Sequence, residues 1–368
     1  MNYKKVLVVS NMYPNKSHPS YGVFVKNFCS QLGVMGINYR VSKLTKANNR
    51  FEKVIKYGLF YIRTFVMSLL GNFDLVYIHY PSFSAKPVLI ARKMRTFDII
   101  SNVHGTDVVP LKEEHEKMQG NTRQAIENSS LVVVPSEYYK QIVVEKYKIP
   151  NKKVFIYPSA GINEKLFYPF GSEKVTELKN KHKIDGNTFV IGFVSRINKA
   201  KGWDIFLEAL EKCYVLKDSK IAIYIIGSGE DDRELDKKIN SLPSYIGSEI
   251  RRYPLLPQES LAELYNIFDV FIFPTVSASE SLGLVAIEAM ACGCPVIASD
   301  YAAPKYYIID DENGYKFIKG NPEELASTIK KYLSLSEDEK MRLREGAIST
   351  GKQYSQKTIT AKLSEIFG

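Results

Sequence analysis

Short runs of aliphatic and β-branched residues recur along this chain, each followed by ten or more residues of amphipathic pattern, and this alternation restricts the fold more than any other feature. Such a run reads as a strand buried on both faces, and the helical stretch after it supplies the crossover that parallel strands require. The pattern predicts strands at 5–10 (KVLVVS), 74–79 (DLVYIH), 98–104 (DIISNVH), 131–135 (LVVVP) and 153–158 (KVFIYP). After the loop PSAGINEKLFYPFGSEK it restarts, with strands at 189–195, 221–227, 269–274 and 295–299. With 368 residues the chain is also longer than one hydrophobic core usually supports. The expectation is α/β: two Rossmann-like parallel-sheet domains, 1–170 and 171–350, facing a central cleft, with a C-terminal helix in 351–368 packing back on the first. Ligands of such folds sit beyond the carboxyl ends of the strands, so the strand-to-helix loops are where chemistry is sought.

Composition narrows the class further. No stretch reaches the roughly 18 uninterrupted apolar residues of a membrane span, and the opening MNYKKVLVVSNMYPN is too short in apolar residues for a secretory signal, so a cytoplasmic protein is expected. Cys29, Cys213, Cys292 and Cys294 lack the spacing and the neighbouring histidines of a zinc site and read as reduced, packed thiols. Charge is one-sided: residues 1–170 carry 24 Lys and Arg against 11 Asp and Glu, whereas the remainder carries 26 against 29. A basic half calls for an anionic partner, whether nucleic acid, an acidic membrane surface or a phosphate-bearing substrate. In RVSKLTKANNRFEKVIKYGLFYIRTFVMSLLG, residues 40–71, cations such as Lys43, Lys46, Arg50 and Lys53 interleave with Phe51, Tyr57, Phe60, Tyr61 and Phe65. That segment fits either a helix lying on an anionic bilayer or a long helix packed on the first sheet with a solvated basic face. No RNA-binding signature accompanies it, and nucleic acid is not expected as a partner.

The most specific stretch is SASESLGLVAIEAMACGCPVIASD, 277–300. Glu280 stands in a loop before a helix, Glu288 eight residues on within it, and Ser281, Leu282, Gly283 and Leu284 form the helix start, whose open N–H groups favour anionic or hydroxyl-rich ligands. In SRINKAKG, Arg196 and Lys201 flank a turn ending at Gly202, so both cations can reach one polyanion. The strand IAIYII leads into GSGEDD, where Asp232 occupies the position a dinucleotide fingerprint gives to its third glycine, which argues against NAD. Gly22 lies in a polar loop after the first strand, and His104 ends another strand ahead of Gly105 and Asp107. Gly22 is either an ordinary turn glycine or a point where backbone approaches a phosphate or sugar.

ESLGLVAIE, continued by AMACGCPVIASD, resembles glycosyltransferase family 4, whose members are retaining enzymes of GT-B fold with two glutamates at this spacing. The resemblance implies that Glu288 holds the ribose hydroxyls of a nucleotide-sugar donor, Glu280 the hydroxyls of its sugar, and Arg196 with Lys201 its diphosphate. His104 resembles the histidine that faces the donor sugar, and Gly227 lies near the nucleotide. Catalytic roles thus fall to His104, Glu280, Arg196 and Lys201, and donor contacts to Gly22, Arg196, Lys201, Gly227, Glu280, Ser281, Leu282, Gly283, Leu284 and Glu288. Departures occur at Ala160, Asn163, Ala302 and Ala303, the last two where the family usually carries glycine. The first half looks most like transferases of bacterial surface polysaccharides, of the teichuronic acid type. With no pair of aspartates one residue apart, the two cations are expected to neutralise the leaving diphosphate without a metal. No cofactor is implied beyond the donor, a UDP-sugar by analogy. The acceptor would be a glycan or a lipid-diphosphate-linked sugar, met at the inner face of the cytoplasmic membrane. The competing classes are a sugar-nucleotide epimerase or hydrolase, for which only His104, Asp107 and His79 offer acid–base groups, and a non-catalytic binder.

Overall fold

The computed structural model describes residues 3–19, 21–159 and 161–367, so Ala160 lies outside the described residues. The chain divides into two compact units: one runs to Gly161 and takes in the segment from Lys357 onward, and the other is Ile162–Gln356.

The first unit holds a six-stranded parallel sheet of β1 (Lys5–Tyr13), β2 (Asn38–Thr45), β3 (Leu75–His79), β4 (Asp98–Asn102), β5 (Leu131–Val134) and β6 (Val154–Ile156), in the order 2-1-3-4-5-6. Helix α1 (Val23–Val34) covers one face; α2 (Arg50–Leu70) and α3 (Pro81–Arg92) cover the other. The continuous apolar runs of β1 and β3 follow from this: Val6, Val8 and Tyr77 pack with Phe28 and Leu32 of α1, whereas Leu7, Val9, Val76 and Ile78 pack with Phe60 of α2 and Val88 of α3. Asn49 caps α2 by accepting the Glu52 amide at 2.9 Å.

The second unit holds β7 (Phe189–Val194), β8 (Ile221–Ile226), β9 (Ile250–Tyr253), β10 (Val270–Phe273), β11 (Val296–Ser299) and β12 (Gly314–Phe317), again all parallel, in the order 12-11-10-7-8-9. Among its helices are α4 (Trp203–Lys212) after β7 and α5 (Leu284–Ala291) after β10. Each sheet reverses direction once, between β1 and β3 in the first and between β7 and β10 in the second. These are the switch points beside which a doubly wound sheet opens a crevice.

Two expectations change. Residues 38–45 form strand β2, so the basic segment 40–71 is a strand followed by a helix and not one helix. Strands β2, β9 and β12 escape the apolar-run pattern because each is a sheet edge, where one flank is unpaired and residues such as Arg40, Arg251 and Lys316 are tolerated.

The last helix, α6 (Gln356–Phe367), places Ile359, Leu363, Ile366 and Phe367 in the same apolar cluster as Val25, Phe28 and Tyr77, and its Phe367 ring meets Tyr3 edge-on at 6.3 Å. Leu363 is fully buried. Leu363→Ala should therefore cost about 2–5 kcal/mol by urea denaturation; a loss within error of zero would show that α6 contributes nothing to that core.

Candidate active site

In the second unit the chain leaves β7 at Ser195, and both cations expected on a diphosphate lie in the turn that follows. Arg196 is exposed, and Lys201 is partly buried ahead of Gly202, which caps α4 in the left-handed conformation (φ 75°). A Cβ at Gly202 would sit 2.0 Å from the Pro274 carbonyl, so this turn presses against the end of β10. The contact brings together the loops on either side of the switch point. Lys201 Nζ lies 2.5 Å from Glu280 Oε2, and the Glu280 side chain is 11% exposed. The cation assigned to the diphosphate and the carboxylate assigned to the sugar are thus one ion pair.

Glu280 leads into α5 through Ser281, Leu282 and Gly283. Gly283 has φ 76°, and a Cβ there would meet the Phe273 ring at 2.8 Å and the Tyr307 hydroxyl at 2.9 Å. Leu282 points into the core, so any ligand contact from it runs through the backbone, and Leu284 is the exposed first residue of the helix. One turn further, Glu288 is buried among apolar side chains, and burial pushes its carboxyl up to about 8. The Tyr265 hydroxyl works in the opposite sense, although it makes no geometrically sound hydrogen bond there.

The glycine turn after β8 is held by packing. A Cβ on Gly227 (φ 132°) would come within 1.8 Å of the Ser195 carbonyl, so Gly227 lets this turn lie against the one carrying Arg196. Asp232 accepts the Gly229 amide at 3.0 Å and the Arg252 guanidinium at 2.7 Å, while Arg252 also donates to the Gly227 carbonyl at 2.6 Å. Arg252, on edge strand β9, and Tyr307, whose buried hydroxyl has no hydrogen-bond partner among the described residues, are members of this region that no sequence motif announced.

In the first unit, His104 follows β4, and its Nε2 lies 3.0 Å from His79 Nδ1. Tyr80 stacks on the His104 ring at 5.2 Å and Phe24 packs against it at 4.5 Å. Burial pushes His104 down to about 3, so its ring is neutral at physiological pH and serves as a hydrogen-bonding group, not a cation. Asp107 does not face outward as an acid: its carboxylate accepts the amides of His104 (3.1 Å) and Gly105 (2.8 Å) and closes their turn, with burial raising it to about 6 against those bonds. Gly22 caps α1 at φ 75°, and a Cβ would lie 2.5 Å from the Met12 carbonyl carbon, so the chain's own approach to β1 requires glycine there.

Residues 5–160 match the family model described as Glycosyltransferase Family 4, and residues 174–350 match Glycosyl transferases group 1. A D-inositol 3-phosphate glycosyltransferase of Corynebacterium aurimucosum is 26% identical over 278 residues, 74% of this chain; the matched segment spans 64% of that relative's length. Among solved structures, Anabaena Alr3699/HepE in complex with UDP and glucose superposes with a TM-score of 0.73 at 17% identity, covering 99% of both chains. The lipopolysaccharide outer core galactosyltransferase WaaB does so with 0.70 at 14% identity, covering 98% of both. The fold is GT-B, and each of the protein's two domains matches a glycosyltransferase model. Its two domains place it in the superfamily that the family 4 and group 1 models together describe.

Two stability predictions arise here. Ala302 stands where the family usually has glycine yet keeps a left-handed backbone (φ 52°), so Ala302→Gly should stabilise by about 1 kcal/mol in chemical denaturation, and a destabilised variant would contradict the strain. Glu288 binds its proton more tightly folded (about 8) than at its ordinary value of 4.5, so the native chain holds a proton that the unfolded chain releases between those values. Wild-type stability should accordingly fall as pH rises from 5 to 8, and Glu288→Gln should escape that fall. The difference in Tm, variant minus wild type, should grow with pH by roughly 2–4 °C per kcal/mol; a flat difference would mean that Glu288 is ionised in the folded protein.

Proposed function

We propose that this protein is a retaining, metal-independent transferase that moves a sugar, a hexose in the first instance, from a UDP-sugar to an acceptor of bacterial surface-polysaccharide assembly. The observation that carries this reading is the Lys201–Glu280 pair at the switch point, at the entry to a helix that also holds Glu288. An ammonium has three N–H donors, so Lys201 can keep Glu280 and still take a phosphate oxygen. With Arg196 it opposes the charge that grows on the departing diphosphate, the work a metal ion does in other sugar transferases. Glu288 is uncharged while isolated; a ribose diol brings two O–H donors that favour the carboxylate. In the reaction the bond from the anomeric carbon to the diphosphate breaks, the acceptor oxygen bonds the same face, and the acceptor proton leaves on a diphosphate oxygen. His104, neutral and anchored through Nε2, is assigned to the donor sugar.

UDP as the nucleotide is favoured by the HepE complex with UDP and glucose, and surface-glycan assembly by the likeness to WaaB and by the first half's resemblance to teichuronic-acid-type transferases. The acceptor is a glycan or a lipid-diphosphate-linked sugar, and an anionic acceptor suits both the basic first half and the relative named for D-inositol 3-phosphate. Work at the inner face of the membrane belongs to the same reading.

Nucleotide release from a panel of nucleotide sugars, with and without lipid-diphosphate sugars, should show acceptor-dependent turnover that survives EDTA, with the anomeric configuration retained by NMR. Inversion, or loss with EDTA restored by magnesium, overturns the respective part of the proposal. Release equal with and without acceptor points to a hydrolase, and no turnover with tight nucleotide binding points to a binder. Arg196→Ala and Lys201→Ala should each lower kcat about 10- to 150-fold. Glu288→Ala should raise the Kd for free nucleotide, whereas Glu280→Ala should spare it and impair transfer; the reverse pattern would mean the donor lies the other way round.

A further inference from the structure

Helix α2 turns all its aromatic residues but Phe51 inward and most of its aliphatic residues outward. Tyr57, Phe60, Tyr61 and Phe65 pack against the sheet, with Phe60 wholly buried in that core. On the opposite side Phe51, Ile55, Leu59, Ile62, Val66 and Leu70 recur at steps of four, four, three, four and four, which puts them in one stripe, and each is between 43% and 77% exposed. The stripe contains no charge along a helix of 21 residues, roughly 30 Å. A contiguous apolar face of that length on water marks an interaction surface.

Its surroundings say what covers it. Arg63 at the flank donates to Ser42 Oγ at 3.3 Å, and Lys56 is held by the Lys46 carbonyl at 2.9 Å and by Glu52. The end of α3 lies beside the end of α2, since Arg95 donates to the Leu69 carbonyl at 3.3 Å and to Asn72 at 2.7 Å; there Ile90 and Met94 are exposed next to Lys86 and Lys93. Between residues 40 and 96 eleven lysines and arginines stand against two acids, and both acids are engaged, Glu52 by Lys56 and Asp74 by the amides of Lys4 and Lys5. Among the described residues no helix is long and apolar enough to cross a membrane.

We propose that α2 lies flat in the headgroup region of an anionic bilayer, its aliphatic stripe among the acyl chains and the cations of α2 and α3 on the lipid phosphates. An apolar face rimmed by lysine and arginine is the chemistry of an interfacial helix. A second copy of this chain fits poorly, because a two-fold contact would set one strongly basic rim against another. Single-stranded nucleic acid fits poorly too, because the rings that would stack on bases, Phe51 apart, face the core. The inference deepens the membrane part of the proposed function by naming the surface, and it replaces the aromatic–basic pattern of residues 40–71 with an aliphatic one.

The test uses the full chain with vesicles of phosphatidylglycerol and phosphatidylcholine in equal parts, and of phosphatidylcholine alone. Flotation should recover the protein with the anionic vesicles at low salt and little with the neutral ones. Leu59→Gln/Ile62→Gln and Lys86→Gln/Lys93→Gln should each lower the partition coefficient about tenfold or more, with melting temperatures unchanged because the altered side chains are exposed. A Leu59→Trp variant should show blue-shifted emission with the anionic vesicles, quenched by brominated acyl chains, on top of the constant signal of buried Trp203. No binding to anionic vesicles, or binding indifferent to Leu59→Gln/Ile62→Gln, overturns the proposal. So does a dimer in sedimentation velocity that the same double variant dissolves, since the stripe then belongs to a second copy. Nucleotide release without vesicles should be equal in all variants; its absence from the wild type strikes the transferase reading and leaves the lipid result standing.

Discussion

Both sheets are covered by helices on two faces, and that burial decides where polar chemistry can stand. A strand such as β8, buried along its whole length, offers no position at which a lysine or carboxylate could meet solvent. Polar groups that must reach a ligand are displaced to the loops beyond the carboxyl ends, and a reversal of strand order keeps two such loops from being occupied by the same crossover. In the second domain those loops follow β7 and β10, and they carry Arg196, Lys201 and Glu280. Backbone packing then sets their spacing, because Gly202 lets the first loop rest against Pro274 and Gly227 lets the β8 turn rest against Ser195.

Within that frame the electrostatics are arranged in advance. Lys201 and Glu280 neutralise one another at a partly buried spot, so neither stands as an isolated charge of low solvation. Among the described residues Glu288 has no such partner, and it answers burial by keeping its proton. Two carboxyls eight residues apart are therefore held differently, Glu280 in an ion pair with Lys201 and Glu288 in an apolar pocket that raises its pKa. In the first domain the same physics leaves His104 and His79 neutral and bound to each other.

How much of this the amino-acid sequence discloses depends on which force shapes each part. Central strands were legible because double-sided burial demands unbroken apolar runs; β2, β9 and β12 were not, because an edge tolerates Arg40, Arg252 and Lys316. Glu280 and Glu288 were legible by their spacing, and Arg196 and Lys201 by their place after a strand. Their ion pair was not, since it depends on how closely two loops 79 residues apart approach. Arg252 and Tyr307 carry no local pattern; only the fold brings them to the glycine turn and to Gly283. The interleaved cations and rings of residues 40–71 were visible as composition, while the direction each ring faces followed only from the helical phase fixed by Phe60.

The placement of α6 bears on how the molecule is made. Translation delivers the first domain's strands early, yet Leu363 and Phe367, which complete its hydrophobic interior, emerge from the ribosome after the whole second domain. The uninterrupted segment Ile162–Gln356 can reach its final form while the nascent first domain still lacks part of its core. Until α6 emerges the sheet lacks the cover that Ile359, Leu363, Ile366 and Phe367 give it, and uncovered apolar surface of this kind is prone to aggregate. A chain ending before residue 359 would lack all four of these side chains, so a change at the very end of translation is felt in the core of the domain made first.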